Sequence, residues 1–220
     1  MKDCINMFNK MMYGSGAIIP GLTMNMSGIL LLIIGGITAG IGLLYNNIMI
    51  IIGSMLLSPI GDSIIRLALG YLYWKPNTTM ITDGIIGIIA QFSMSILIGY
   101  IMGITNKEYS EPLKMPTTEM NNRVKPRNYI KDFILALLMG FILGYSLIYT
   151  NSTALVGLRL SLAVLPALVN GGLYIAMAHY EKDNDKYNEY MYNGAKMVGL
   201  VSIYTIGVLF TTIIGFYMFC

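Results

Sequence analysis

Residues 31–56 of this chain read LLIIGGITAGIGLLYNNIMIIIGSML, and a related stretch, LALLMGFILGYSLIYTNSTALVGLRL, occupies residues 135–160. Eight of the 26 positions are identical at a constant offset of 104 residues. The identical pairs are Leu31/Leu135, Gly36/Gly140, Gly40/Gly144, Leu43/Leu147, Tyr45/Tyr149, Asn47/Asn151, Gly53/Gly157 and Leu56/Leu160. Internal repeats of this size in hydrophobic sequence are typical of transporter-like architectures. The repeat therefore predicts how the chain is built before anything indicates what it does.

The composition indicates an integral, multi-pass membrane protein. Of the 220 residues, 55% are hydrophobic and only 11% are charged, against about 25% charged in soluble domains. The net charge of +3 is small, and the basic residues flank the apolar runs, so we expect no nucleic-acid partner. The two cysteines, Cys4 and Cys220, and the single His179 form no disulfide framework and no metal cluster. Because no catalytic motif is present either, we expect no enzymatic activity and no cofactor.

Six apolar runs are long enough to cross a hydrocarbon core of about 30 Å, which needs about 20 helical residues. The runs are 28–45, 48–73, 84–104, 130–149, 153–178 and 194–219. They predict an all-α membrane fold of two three-segment repeats, at 28–104 and 130–219. A hydrophilic linker at 105–129 joins the repeats, and residues 1–27 form an N-terminal segment suited to the membrane interface.

Glycine and proline mark the corresponding runs of the two repeats. Gly36/Gly40 and Gly140/Gly144 have the GxxxG spacing that lets helices approach closely, either within the chain or between neighbouring chains. The second and fifth runs each hold one interior proline, Pro59 and Pro166, where a helix break is expected. If these two runs span the membrane, the repeats have opposite orientations, whereas re-entrant hairpins would make them parallel.

We favour spanning segments and an inverted repeat. Loops 105–129 and 179–193 then share one membrane face and, with Lys131 and Lys196, hold nine Lys and Arg residues, against three on the other face. The positive-inside rule places the 105–129 face in the cytoplasm.

Three ionisable residues fall deep in apolar runs: Asp62, Arg66 and Arg159. Asp62 and Arg66 are four residues apart, so they share a helix face and can pair. A charge buried at the membrane centre costs about 2.5–3.5 kcal/mol, so we expect each of these residues to have a functional or structural role that offsets the cost. Two arginines against one aspartate leave a formal +1, which suits an anion near helix breaks. The alternative is an ion-pair network that only fixes the repeat interface.

Polar residues of the same runs are candidates for the lining of that site. They are Ser54, Ser58, Ser63, Gln91, Ser161 and Asn170, of which Ser58, Ser161 and Asn170 are the favoured solute-binding residues. Taken singly, such a residue more often forms an ordinary hydrogen bond between helices.

Three stretches resemble the domain-of-unknown-function 389 family of prokaryotic polytopic membrane proteins. Residues 40–59, GIGLLYNNIMIIIGSMLLSP, resemble its "GLL…IGAMLISPLMGPI" signature, and residues 154–166, ALVGLRLSLAVLP, resemble "LVGVAIAVALVPPL". Residues 123–144 resemble the basic and glycine-rich helix between these signatures. The resemblance covers about 28–219 and implies a polytopic membrane architecture, while the family's function is unassigned. The chain departs from the pattern at Gly61-Asp62-Ser63, where the family has Met-Gly-Pro, and at Ala167, where it has a second proline.

The sequence therefore predicts a channel or carrier for a small solute, with an anion as the favoured class and a site at the broken helices near mid-membrane. The alternative is a non-transporting membrane scaffold whose intramembrane charges are structural. In either case the expected partners are the lipid bilayer and further copies of the chain in a homo-oligomer.

Overall fold

The computed structural model describes residues 26–72, 78–108, 114–125, 129–149 and 164–219, and the regular structure in these ranges is entirely α-helical. Most of the predicted N-terminal segment lies outside the described residues. The eight helices are α1 Met26–Leu44, α2 Ile48–Leu56, α3 Ile60–Leu72, α4 Thr78–Glu108, α5 Thr118–Val124, α6 Tyr129–Tyr149, α7 Val164–Tyr180 and α8 Asn184–Phe219.

Four described segments are long and apolar enough to cross a membrane: Met26–Leu44, Ile48–Leu72, Thr78–Asn106 and Asn184–Phe219. A shorter apolar stretch, Phe133–Ser146, lies within α6. Several long apolar helices are what a multi-pass membrane protein requires. Four of the six predicted segments, the first, second, third and sixth, thus correspond to helices of membrane-spanning length. The first part of the fifth predicted run, 153–163, lies outside the described residues.

Two asparagines make the tight turn between α1 and α2. Asn46 has a positive φ of 55°, which asparagine tolerates better than most residues. The Asn47 amide donates to Gly42 O at 2.8 Å and the Asn46 amide donates to Leu43 O at 3.3 Å, which is a Schellman helix ending. Asn47 then caps α2, because its Oδ1 accepts from the Met49 and Ile50 amides.

The predicted helix break at Pro59 is present. α2 ends at Leu56 and α3 begins at Ile60. Proline carries no amide hydrogen and clashes with a preceding helical turn, so the chain stops one helix and starts another at that point. The new helix carries Asp62 in its first turn, where a carboxylate stabilises the positive end of the helix dipole.

The GxxxG glycines pack within the chain, against the third long helix of their own repeat. β-Carbons built at Gly36 and Gly40 would contact α4, at Ile98 and Met102. Those built at Gly140 and Gly144 would contact α8, at the backbones of residues 208 and 212. The glycine contacts are therefore made within one chain, which is one of the two predicted arrangements. The two glycine pairs contact α4 and α8, however, and not each other.

The same contacts fix helix directions. In both glycine pairs the residue numbers rise together, so α1 runs parallel to α4, and α6 runs parallel to α8. α3 is antiparallel to α4, since Gly70 faces Ile81 and Gly87 faces Ser63. α7 is parallel to α4 and antiparallel to α8, so the α6–α8 pair runs opposite to the α1–α4 pair.

α7 is the central helix of the bundle. Its residues 164–174 are all buried, and it packs against α1, α4 and α8. Pro166 lies in its first turn, where the missing amide hydrogen would have no helical partner in any case. The Pro166 position therefore suits a helix start.

The predicted hydrophilic loop at 179–193 is wrong for most of its length. Only residues 181–183 separate α7 from α8, and α8 begins at Asn184. Asp183 explains the early start, because its Oδ1 accepts from the Asp185 amide at 3.1 Å and so caps the helix. Asp185, Lys186 and Glu189 lie on the part of α8 that precedes the apolar run, and Glu181, Lys182 and Asp183 form the short connection.

Candidate functional site

The Pro59 break and the start of α7 meet at the middle of α1. A β-carbon built at Gly35 would lie 3.0 Å from Leu57 Cβ and 3.0 Å from Leu165 Cδ2. Leu57 is two residues before Pro59, and Leu165 immediately precedes Pro166. The structure therefore brings together the two proline regions that the sequence placed near one another. A side chain at position 35 would require the two leucines to shift by a few tenths of an ångström, so glycine suits this close approach.

Buried polar side chains lie along the broken segment and on the part of α4 that packs against it. Ser54, Ser58 and Ser63 come from the broken segment α2–α3, and all three are buried. Gln91 on α4 is also buried, and its Nε2 donates to Ser63 Oγ at 2.8 Å. Gln91 Oε1 is buried and accepts no hydrogen bond from the described protein atoms. A buried amide oxygen without a donor is uncommon, and it marks a place where a polar group is needed.

Asn170, a predicted site residue, lies on α7 about one turn beyond Pro166, roughly 6 Å along the helix. It is fully buried, and its Nδ2 donates to Met120 O at 3.1 Å. That carbonyl can only accept, so the orientation of the amide is fixed. Asn170 Oδ1 is consequently an acceptor, and it too receives no hydrogen bond from the described protein atoms.

Arg66 lies away from this centre and has a partner that sequence spacing does not indicate. Its Nη1 donates to Asp83 Oδ2 at 2.8 Å in a salt bridge. Arg66 is six residues before the end of α3 and Asp83 is five residues after the start of α4. The pair therefore lies roughly 8 Å from the end of α3 and the start of α4.

The salt bridge changes the charge balance that favoured an anion. Asp62, Arg66 and Arg159 sum to +1, but Asp83 adds one negative charge and brings the sum to zero. Sequence reasoning left Asp83 out because it precedes the apolar run 84–104 by one residue. The i, i+4 spacing pointed to Asp62 instead. Arg159 and Ser161 lie outside the described residues, so the positive charge that remains for an anion rests on Arg159.

The described site residues therefore separate into two places. Ser58 and Pro59 lie at the central break, with Pro166 and Asn170 at the start of α7 beside it. Arg66 lies toward the α3–α4 hairpin, while Asp62 occupies the first turn of α3 between these places.

Sequence reasoning missed one element beside the site, the short helix α5 in the hydrophilic linker. Its Met120 is fully buried and Val124 is nearly so. These two apolar residues are four apart, so they share a helix face. The i, i+4 apolar pair, with Thr117 in front of it as a capping residue, was the signal that could have revealed α5.

A family model described as "Domain of unknown function (DUF389)" matches residues 55–218, about three quarters of the chain. The chain belongs to this family. The match begins inside α2 and covers the Pro59 break, α7 and almost all of α8, so the candidate site lies within the part shared with the DUF389 family. A search of curated proteins and a search of solved structures each return no match.

Proposed function

We propose that this DUF389 protein lets a small polar solute cross a membrane, as a channel or carrier, through a site at the Pro59 break and the start of α7. The observation that carries the proposal is the interruption of a membrane-length segment at Pro59, beside the buried Ser58. The helices α4 and α7, which pack against this segment, each hold a buried amide oxygen that accepts no hydrogen bond from the described protein atoms. Non-helical backbone at membrane depth is tolerated where protein or a water-filled cavity covers it. Solute sites of transporters are commonly built at such breaks.

The proposed architecture is a six-segment inverted repeat. Helix directions support it, because α1 and α4 run together, while α6 and α8 run together in the opposite direction. In each half the second segment is antiparallel to the third, as α3 is to α4 and α7 is to α8. Two halves with the same internal arrangement and opposite direction are what an inverted pair requires.

The length of the broken segment supports a full crossing rather than a re-entrant hairpin. Gly40, near the end of α1, faces Met102 of α4, while Gly70, near the end of α3, faces Ile81. Met102 and Ile81 are 21 residues apart on one helix, about 32 Å. The segment between the α1–α2 turn and the end of α3 thus covers the thickness of a hydrocarbon core, about 30 Å.

An anion remains the proposed solute class only through Arg159. Arg66 is neutralised by Asp83, and the two amide acceptors at the centre attract hydrogen-bond donors instead. A site that combines Arg159 with these acceptors suits a small solute with both an anionic group and a donor.

The alternative function, a membrane scaffold that transports nothing, is favoured by one observation. Arg66 and Asp83 form a salt bridge between neighbouring helices, which is a structural use for an intramembrane charge. In this alternative the remaining charges would have similar roles, and no solute would cross. Association into a homo-oligomer in the lipid bilayer and the absence of enzymatic activity or a cofactor are proposed with either function.

Proteoliposome flux measurements separate the two functions. Purified protein is reconstituted, and tracer release is measured for chloride, phosphate, acetate, glycine, sodium and glycerol. We expect release of at least one solute above protein-free liposomes, and a loss of anion release in Arg159→Gln. Release that never exceeds protein-free liposomes, from protein that is folded and correctly inserted, would favour the scaffold.

A further inference from the structure

The short helix α5 is inserted into the end of the helix bundle on the 105–129 face. Its seven residues come from a hydrophilic linker, yet Met120 has 0% exposure and belongs to the main hydrophobic core. A linker that served only to connect two repeats would have no need to bury a methionine among their helices. α5 is therefore packed into the bundle as well as joining the repeats.

α5 is held to the first repeat by two hydrogen bonds. Thr117 Oγ1 donates to Leu43 O at 2.7 Å, at the end of α1. The Glu119 amide donates to Asn46 Oδ1 at 2.9 Å. Asn46 is the residue in the left-handed conformation that ends α1, so this bond attaches α5 to the turn that starts the broken segment.

Two more hydrogen bonds hold α5 to the second repeat. Asn170 Nδ2 donates to Met120 O at 3.1 Å, and the Tyr174 hydroxyl donates to Asn121 Oδ1 at 2.8 Å. Both donors lie on α7, one turn apart. The amide of Asn170 thus uses one of its two groups to hold α5, while its Oδ1 accepts no hydrogen bond from the described protein atoms.

α5 connects the two repeats at the point where they would have to separate. Asn170 is about 6 Å along α7 from Pro166, so the Met120 backbone lies close to the proposed site on its 105–129 side. In a transporter built from two repeats, access from one face opens when the repeats move relative to each other. Such a movement on this face requires the bonds of α5 to at least one repeat to break.

We propose that α5 is a gate that closes the 105–129 face, and that Asn170 couples the gate to the solute site; this inference rests on the proposed function. With α5 in place, Asn170 donates to Met120 and the path to the Pro59 break is closed. Release of α5 frees both groups of the Asn170 amide for the solute and opens the break to water.

The test loosens α5 without touching the break. The double variant Thr117→Val/Tyr174→Phe removes one bond to each repeat and keeps side-chain size, and the valine also removes the cap that Thr117 Oγ1 provides by accepting from the Met120 amide. Thr205→Val is the matched control, since Thr205 is buried and its hydroxyl donates only within α8, to Val201 O at 2.8 Å. All proteins carry Cys4→Ser and Cys220→Ser, so that an engineered thiol is the only one.

Two readouts are compared. Hydrogen–deuterium exchange of the α5 amides reports release of the helix. The reaction rate of a Ser58→Cys thiol with a membrane-impermeant methanethiosulfonate reports opening of the break. The measurement uses sealed vesicles in which the 105–129 face is outside. Labelling of a separate Lys114→Cys variant verifies that orientation. For the three lost hydrogen bonds we expect each rate to rise at least about tenfold in the double variant and to stay within twofold in the control, and Tyr174→Phe, which leaves the Thr117 cap intact, should raise both rates by a smaller factor.

Two results would overturn the gate. If the α5 amides exchange faster while Ser58→Cys reacts at the unchanged rate, α5 covers the end of the bundle without controlling access to the break. If α5 exchange is unchanged, the four bonds do not hold the helix. Tyr174→Phe alone, which removes a single oxygen atom, is measured in case the double variant fails to assemble. Should no solute cross the membrane while the Ser58→Cys rate still rises, the transport proposal fails and the gate remains.

Discussion

The Arg66–Asp83 salt bridge allows a prediction in which the loss of stability depends on which partner is removed. The Arg66 side chain is 11% exposed and that of Asp83 is 51% exposed. Replacing Asp83 leaves a largely buried guanidinium without its carboxylate. Replacing Arg66 leaves a carboxylate that is already half in contact with the surroundings of the helix end, so the penalty is smaller.

The exposures set the magnitudes. Removing one partner of a buried pair costs about 3–5 kcal/mol, while exposed pairs contribute about 0–1 kcal/mol. Because Asp83 is half-exposed, we expect Asp83→Ala to lower the free energy of unfolding by about 2 kcal/mol. Arg66→Met, which keeps the apolar stem, should lower it by about 0.5 kcal/mol, and the double variant should lose no more than Arg66→Met alone.

Reversible unfolding in mixed detergent–dodecyl sulfate micelles, followed by circular dichroism, measures these differences. Glu189→Ala, an exposed acidic position on α8, is the control for removal of a carboxylate and should change stability by less than about 0.5 kcal/mol. Equal losses for Asp83→Ala and Arg66→Met, adding up in the double variant, would refute the reasoning, because the two side chains would then act independently.

Three further predictions concern packing, capping and topology. Gly140→Ala should lower the free energy of unfolding by about 2–3 kcal/mol in the same assay, because its β-carbon would contact Thr211 Oγ1 and Val208 O. The control Gly199→Ala, with nothing within 4 Å, should leave stability unchanged or slightly higher, and equal effects of the two variants would count against the α6–α8 packing. Asn47→Ala should cost about 1 kcal/mol through loss of the α2 cap, and an unchanged unfolding midpoint would contradict this. Cysteines at residues 47 and 76 should react with impermeant maleimide from opposite faces, and labelling of both from one face would mean that 48–72 is re-entrant.

Local signals in the sequence predicted the features that depend on neighbouring residues. The apolar runs 28–45 and 48–73 left only Asn46-Asn47 for a tight turn, which the structure has, and Pro59 interrupts the following segment through its missing amide hydrogen. The glycine spacing at Gly36/Gly40 predicted a close helix approach, which the contacts with α4 confirm. These effects are fixed by one turn of chain, so they can be deduced without knowing the fold.

Features that depend on distant segments could not be predicted in this way. Arg66 pairs with Asp83, 17 residues away across a helical hairpin, and only the packing of α3 on α4 selects that carboxylate over Asp62. Met120 is buried in one hydrophobic cluster with residues of α1 and α7, although its neighbours in the linker are hydrophilic. The early start of α8 depends on a single capping aspartate, Asp183. The hydrophilic composition of residues 179–193 predicts a loop and does not distinguish a capping aspartate from the other charged residues.

A solute that passes the Pro59 break must pass Ser58, so we expect its flux to depend on the Ser58 hydroxyl, which Ser58→Val removes. Ser58 and Ser146 are both buried serines, but Ser146 lies on α6 and donates within its own helix, to Ile142 O at 2.8 Å. For the best-transported solute we expect Ser58→Val to lower proteoliposome flux about tenfold, the effect of one lost hydrogen bond, and Ser146→Val to leave it within twofold. Equal flux in the two variants, both folded by size-exclusion chromatography, would contradict the account.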